Sequence, residues 1–204
     1  MYNDILTSAQ KSALAILSGS SVARSFYLAG GTALALHLGH RESADFDFFC
    51  EQRFDPHELL NLLPPVRVLQ AARDTLTIEL NTVRTSFFGY PHRLLRPTVT
   101  GPSGFHVADV ADIAAMKLVA IAGRGSRKDF VDVFFICRLC FPLKEAIQLL
   151  QAKFSSEAYD LYHILRSLTY FADAEAEPMP VLRCAVQWDE IKLFFQREAA
   201  RLHG

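Results

Sequence analysis

The stretch that most constrains this chain is Phe26-Tyr27-Leu28-Ala29-Gly30-Gly31-Thr32, followed after thirteen residues from Gly31 by Asp45-Phe46-Asp47-Phe48-Phe49. The first part reads as a short apolar strand that breaks at a Gly-Gly turn. The turn delivers the chain into an amphipathic segment, Ala33 to Leu38. The second part alternates carboxylate and aromatic. A strand has a side-chain period of two, so Asp45 and Asp47 share one face and Phe46 and Phe48 the other. Two like charges on an otherwise apolar strand resist burial, and a divalent cation between them resolves the conflict. Hard cations such as magnesium favour such carboxylate oxygens. At the turn, Gly30, Gly31 and Thr32 let backbone N–H groups approach phosphate, and the helix N-terminus adds positive potential. Alone, a Gly-Gly-Thr is ordinarily a turn and an Asp-x-Asp a solvated edge. Together, with apolar residues in the alternate positions, they point to chemistry on a nucleoside triphosphate.

Half of the 204 residues are apolar, enough for one substantial core or two small domains. The formal net charge of −1 gives no whole-protein field to steer nucleic acid, so any RNA contact must rest on a local patch. The densest cationic stretches are Arg84 to Arg96, with His92 and Arg93 between, and Arg124 to Lys128. Cys50, Cys137, Cys140 and Cys184 are too scattered for a disulfide scaffold. The Cys137-x-x-Cys140 pair lies in a helical run with no second pair or nearby histidine, which argues against zinc. No signal pattern and no apolar stretch of membrane-spanning length is seen, so the expectation is a reduced, cytoplasmic protein with no membrane partner.

Residues 4–18 carry helical spacing that ends at Gly19. Asp55-Pro56-His57-Glu58 announces a further helix, with Asp55 as cap and Pro56 in the first turn, closed by Pro64-Pro65. Thr75 to Leu80 and Val83 to Tyr90 read as a hairpin about Asn81-Thr82. A loop from Pro91 to Gly104 then separates this half from a helical one. There the runs are Val110 to Ile121, stopped by Gly123 and Gly125, then Phe130 to Leu139, Leu143 to Phe154, Ser156 to Phe171 and Trp188 to Leu202. Ala172 to Pro180 reads as a solvated connection. The expected class is α+β: a small mixed sheet with flanking helices in residues 1–106, and a helical bundle in 107–204 packing on it.

Within the apolar run from Val110, Lys117 either snorkels to water or reaches a nucleotide. Arg124, seven residues on, shares its face and could brace a triphosphate and the departing pyrophosphate. Asp129 and Asp132 either complement a helix dipole or, for Asp129, fix Arg124 or Lys128 in position. His40 and Arg41 either contact phosphate or shape their loop.

The pattern Gly30-Gly31 … Asp45-Phe46-Asp47-Phe48 resembles the signature of the polymerase-β-like nucleotidyltransferase superfamily. The longer strings Leu28 to His37 and His40 to Phe49 resemble its AbiEii/AbiGii toxin branch. Asp112 to Lys117 and Arg124 to Asp132 resemble that branch's second block, and the segments about Leu168 to Glu175, Trp188 and Phe194-Phe195 its tail. The resemblance implies magnesium-dependent transfer of a nucleotide from a triphosphate to an acceptor hydroxyl, a tRNA 3′ end for some relatives. It also implies a type IV toxin–antitoxin or abortive-infection setting with a cognate antitoxin. The implied catalytic residues are Asp45, Asp47 and Lys117, with the first two as metal ligands. Nucleotide binding would fall to Gly30, Gly31, Thr32, Lys117, Arg124 and Asp129. One departure matters: superfamily enzymes usually offer a third carboxylate from a neighbouring strand, and here Ser86 holds that position, leaving Glu79 or Asp74 as substitutes. The rival reading is a scaffold that has lost catalysis and binds a partner protein or RNA.

Overall fold

The computed structural model describes residues 1–154 and 159–203, and the chain divides into two compact units, 1–109 and 110–204. In the first unit, helix α1 (Ser8–Ser18) opens on a reciprocal cap: Thr7 accepts from the Gln10 backbone N–H, and Gln10 accepts from that of Thr7. A short α2 (Val22–Ser25) leads into strand β1 (Tyr27–Ala29), which runs directly into α3 (Gly30–Leu38). Then come β2 (Phe46–Cys50), α4 (Pro56–Leu60), β3 (Arg67–Ala72), β4 (Thr75–Leu80), β5 (Val83–Gly89), β6 (Val99–Thr100) and β7 (His106–Val107). The strands form one mixed sheet in the order β3-β4-β5-β2-β1-β7-β6. β2 is antiparallel to β1 and parallel to β5, and β7 is parallel to β1.

Alternation sorts the sheet into two faces. Leu28, Phe46, Phe48, Leu76, Ile78 and Phe87 are fully buried on one of them, where Phe48 stacks on Phe87 and Phe26 meets Phe87 edge-on. The other face carries Asp47, Phe49, Ser86, Phe88 and Thr77, as the pairings Asp47↔Ser86 and Ser86↔Thr77 show.

Several elements differ from the sequence expectation. α3 begins at Gly30 and is buried through Thr32–Leu36, so it is an interior helix and not an amphipathic one. β3 is exposed along its whole length, with Val68 and Leu69 showing outward, so it has no alternation to read. β6 and β7 lie in and just beyond the Pro/Gly-rich stretch that the sequence predicts to be a loop. They are two residues each: β7 pairs with β1, nearly eighty residues away, and β6 pairs with β7.

In the second unit, α5 (Val110–Arg124) contacts α6 (Arg127–Leu139), α7 (Leu143–Lys153) and α8 (Leu161–Ser167). α5 runs through Gly123 and stops only before Gly125, whose φ of +57° provides the left-handed turn. α9 (Ala172–Glu175) and α10 (Trp188–His203) pack against α6. Part of the expected Ser156–Phe171 helix, residues 156–158, lies outside the described residues; the described part is helical only over Leu161–Ser167. The segment expected to be a solvated connection instead clamps α6: Glu177 accepts from the Ser126 hydroxyl and the Arg127 N–H, while Arg127 donates to the Ala174 carbonyl. Phe130, Phe171, Trp188 and Phe195 form an aromatic cluster beside it.

Candidate active site

The bend between β1 and α3 sets the site. Gly30 has φ +67°, a conformation side chains rarely adopt, and a Cβ there would come within 2.7 Å of Oδ2 of Asp47. The carboxylate of Asp47 therefore lies against the glycine bend. A Cβ on Gly31 would meet Nη2 of Arg41 at 2.6 Å and the Ser43 hydroxyl at 3.1 Å. The first N–H groups of α3 have no intrahelical acceptors, and no side chain caps them. A glycine bend, helix-terminal backbone donors, a guanidinium and a carboxylate thus converge on one spot. That combination suits a polyphosphate and a cation.

Asp47 is half-buried on β2, and Asp45 is exposed immediately ahead of that strand. Thr32 is buried, and its hydroxyl is engaged by the Asp45 carbonyl and by Ser43 Oγ at 2.8 Å. It staples the bend to the loop entering β2, which leaves its N–H as the group it can offer a phosphate. His40 and Arg41 are both buried, and Arg41 donates to the Glu42 carbonyl at 2.8 Å. Two contributors escaped the sequence reading. Gln10 donates through Nε2 to the Ser43 and Ala44 carbonyls at 2.7 and 3.2 Å, so the amide that caps α1 also fixes the loop ahead of Asp45. The Thr7-x-x-Gln10 spacing could have signalled the cap, but not its second partner. Ser43, an unremarked serine, links Thr32 to that loop.

Ser86 stands directly opposite Asp47 on the neighbouring parallel strand, where its hydroxyl meets that of Thr77 at 3.2 Å. Glu79 shares this face but lies on β4, one strand farther, ion-paired with Arg67 at 3.6 Å. Asp74 does not belong to the site. It sits in the turn beside Gly89, at the far end of β2, and accepts from the Phe54 N–H at 3.1 Å.

The remaining expected residues form a cluster in the second unit. Nζ of Lys117 lies 2.8 Å from Asp129 and 2.6 Å from Asp132, and its side chain is only 6% exposed. It does not snorkel. Arg124 grips Asp129 through Nε and Nη2 at 2.7 and 2.9 Å while its side chain stays 57% exposed, lining a cavity of about 710 Å³. Burial alone would push the Asp129 carboxyl up, but Lys117 and Arg124 outweigh it and hold that group below the usual carboxylate range.

A family model described as "Nucleotidyl transferase AbiEii toxin, Type IV TA system" matches residues 12–66 and 64–201. The chain belongs to this AbiEii nucleotidyltransferase family. An uncharacterized protein of Aquifex aeolicus is 39% identical over 196 residues, covering 93% of each chain. Among solved structures, a putative nucleotidyltransferase from Helicobacter pylori superposes with a TM-score of 0.62 at 16% identity, covering 100% of this chain and 96% of its own. MenT4, a nucleotidyltransferase toxin of Mycobacterium tuberculosis, does so with 0.60 at 17% identity, covering 96% of this chain and 82% of its own. At those identities the structural likeness shows the fold, a mixed sheet with helices. The AbiEii membership makes the chain a nucleotidyltransferase of a toxin family. No helix among the described residues is long and apolar enough to cross a membrane.

Proposed function

We propose that this AbiEii protein transfers a nucleoside monophosphate from a triphosphate to the hydroxyl of an RNA acceptor, such as a tRNA 3′ end, with magnesium as the metal, and that a cognate antitoxin restrains it in the cytoplasm. The observation that carries the reading is the contact of the Asp47 carboxylate with the Gly30 bend. The donor set fits a hard cation: the Asp47 carboxylate lies at a bend that a single methyl group would fill, and Asp45, exposed two residues earlier, is the second carboxylate we assign to it. Bound there, the cation would neutralise charge on the triphosphate oxygens.

The chain's own residues do the rest. Backbone N–H groups of Gly30, Gly31 and Thr32 bind the phosphate tail, and buried Arg41 adds its charge behind Gly31. The acceptor oxygen attacks the α-phosphorus, and pyrophosphate leaves on the side of the bend. Ser86 can orient the acceptor hydroxyl, but a serine holds its proton at neutral pH and cannot serve as a general base. Its presence predicts slow turnover, since a positioned base contributes roughly a hundredfold to ten-thousandfold. In the second unit, Arg124 is the group we assign to a phosphate. Lys117 and Asp129 act on nucleotide binding through it, as positioning residues, because both are buried in mutual ion pairs.

The test is incorporation of each labelled triphosphate into total RNA. Asp47→Asn should abolish incorporation and leave the thermal melt nearly unchanged. Undiminished incorporation by that variant would remove the assignment.

A further inference from the structure

The face of the sheet that carries Asp47 continues into a row of rings. Phe49, two residues beyond Asp47, stacks against Tyr27 at 6.1 Å and contacts Phe88 at 5.3 Å and Tyr90 at 5.5 Å. Tyr90 in turn meets the His92 ring at 4.7 Å. Phe49, Phe88, Tyr90 and His92 are half-buried and keep part of their surface outward, although large apolar rings on a strand usually face the core. The exposed cation beside this row is Arg93, which follows His92; Arg84 shares the face of Ser86 and Phe88 but lies on the bend side of Asp47, opposite Glu79. Outward rings beside a cation on a sheet surface suit single-stranded RNA, because every base has a face to stack whatever its identity.

The strand register gives the row its place in the reaction. Ala29 pairs with Asp47 and Tyr27 with Phe49, so Asp47 lies between the glycine bend and the rings, about 7 Å from Phe49 along the strand. Phosphoryl transfer needs the attacking and leaving oxygens in line. With the pyrophosphate leaving at the bend, the attacking hydroxyl must come from the opposite side of Asp47. That is the side of the rings.

We infer that Phe49, Phe88 and Tyr90 form the stacking floor for the unpaired terminal base of a single-stranded RNA acceptor, with Arg93 meeting its backbone phosphate. This rests on the transferase reading for its orientation, but it is a binding site in its own right. The occupant is the acceptor and not the base of the incoming triphosphate, because the triphosphate tail is anchored across Asp47.

The test uses the full chain and a fluorescein-labelled RNA decamer, read by anisotropy in magnesium buffer without nucleotide. The unpaired strand should bind, and a blunt duplex should bind much more weakly. Phe49→Leu and Phe88→Leu, which keep apolar bulk and lose the ring, should each weaken the decamer roughly five- to a hundredfold. Neither should change triphosphate affinity measured by calorimetry. Asp47→Asn should bind the decamer as well as the unsubstituted chain, so loss of transfer in that variant bears only on the catalytic reading. If the leucine variants bind RNA unchanged, or lose triphosphate instead, the stacking floor is overturned while the transferase stands. Should either variant fail to fold, crosslinking of the unsubstituted chain to a 3′-terminal 4-thiouridine decides: adducts on peptides holding Phe49 or Phe88–His92 support the site, and adducts confined elsewhere overturn it.

Discussion

Gly30→Ala probes the bend and the carboxylate with one methyl group. At φ +67° an alanine costs roughly 1–2 kcal/mol in backbone strain. For a unit of about a hundred residues that lowers Tm by about 4–8 °C per kcal/mol. The larger effect falls on geometry. The new Cβ would sit 2.7 Å from Oδ2 of Asp47, and ordinary contact begins at 3.4 Å, so the carboxylate must retreat by most of an ångström. A misplacement of about 1 Å at a reacting centre can cost about a hundredfold in rate. The assay pairs labelled-nucleotide incorporation with a thermal melt, and Gly123→Ala serves as the control. Nothing lies within 4 Å of a Cβ at that helical glycine, so it should retain activity and gain up to about 1 kcal/mol in helix propensity. A folded Gly30→Ala protein with undiminished incorporation would refute the claim that the bend and Asp47 act as one site.

Two further outcomes concern the second unit. Asp129 has a folded pKa below its unfolded value, so its stabilisation is complete above about pH 4 and is lost as pH falls through the folded value. Asp129→Asn should therefore be less stable at pH 7, and its stability in urea should decline less steeply on acidification below about pH 4 than that of the parent chain. Lys153 and Asp112 form a pair at 2.6 Å with both side chains 0% exposed, joining α7 to α5. Lys153→Met alone should cost about 3–5 kcal/mol by stranding a buried carboxylate, and adding Asp112→Leu should recover most of it. A double variant no more stable than the single one would show that the pair is worth more than its desolvation costs.

The site was legible where chemistry and periodicity coincide. The glycine bend, the alternation about Asp47 and the serine at Ser86 could all be placed from neighbouring residues, because a strand's faces are set by parity. The α4 cap at Asp55 was equally local, its carboxylate accepting from the His57 N–H at 2.8 Å. Lys117 was not legible. Snorkelling and reaching for a nucleotide both send its charge out of the helix, whereas the fold supplies two aspartates from α6 to hold it inside. Glu175 and Glu177 read in the sequence as a solvated acidic loop, whereas Lys192 and the N-terminus of α6 are their partners. The exposed β3 and the two-residue β6 and β7 exist through pairing with other strands and carry no pattern of their own.

The sequence by itself determined the α+β class, the AbiEii resemblance and the pair of acids that follows a glycine turn, since these depend on residue type and short-range spacing. Only the tertiary structure decided that Asp47 touches Gly30, that Arg41 and Gln10 brace the bend, and that Lys117 is sealed between carboxylates. Those contacts join residues 10 to 34 positions apart, and the strand order that aligns the rings beside Asp47 spans more than sixty. Such separations are closed by burial of the whole core, a sum over many side chains that no local pattern encodes.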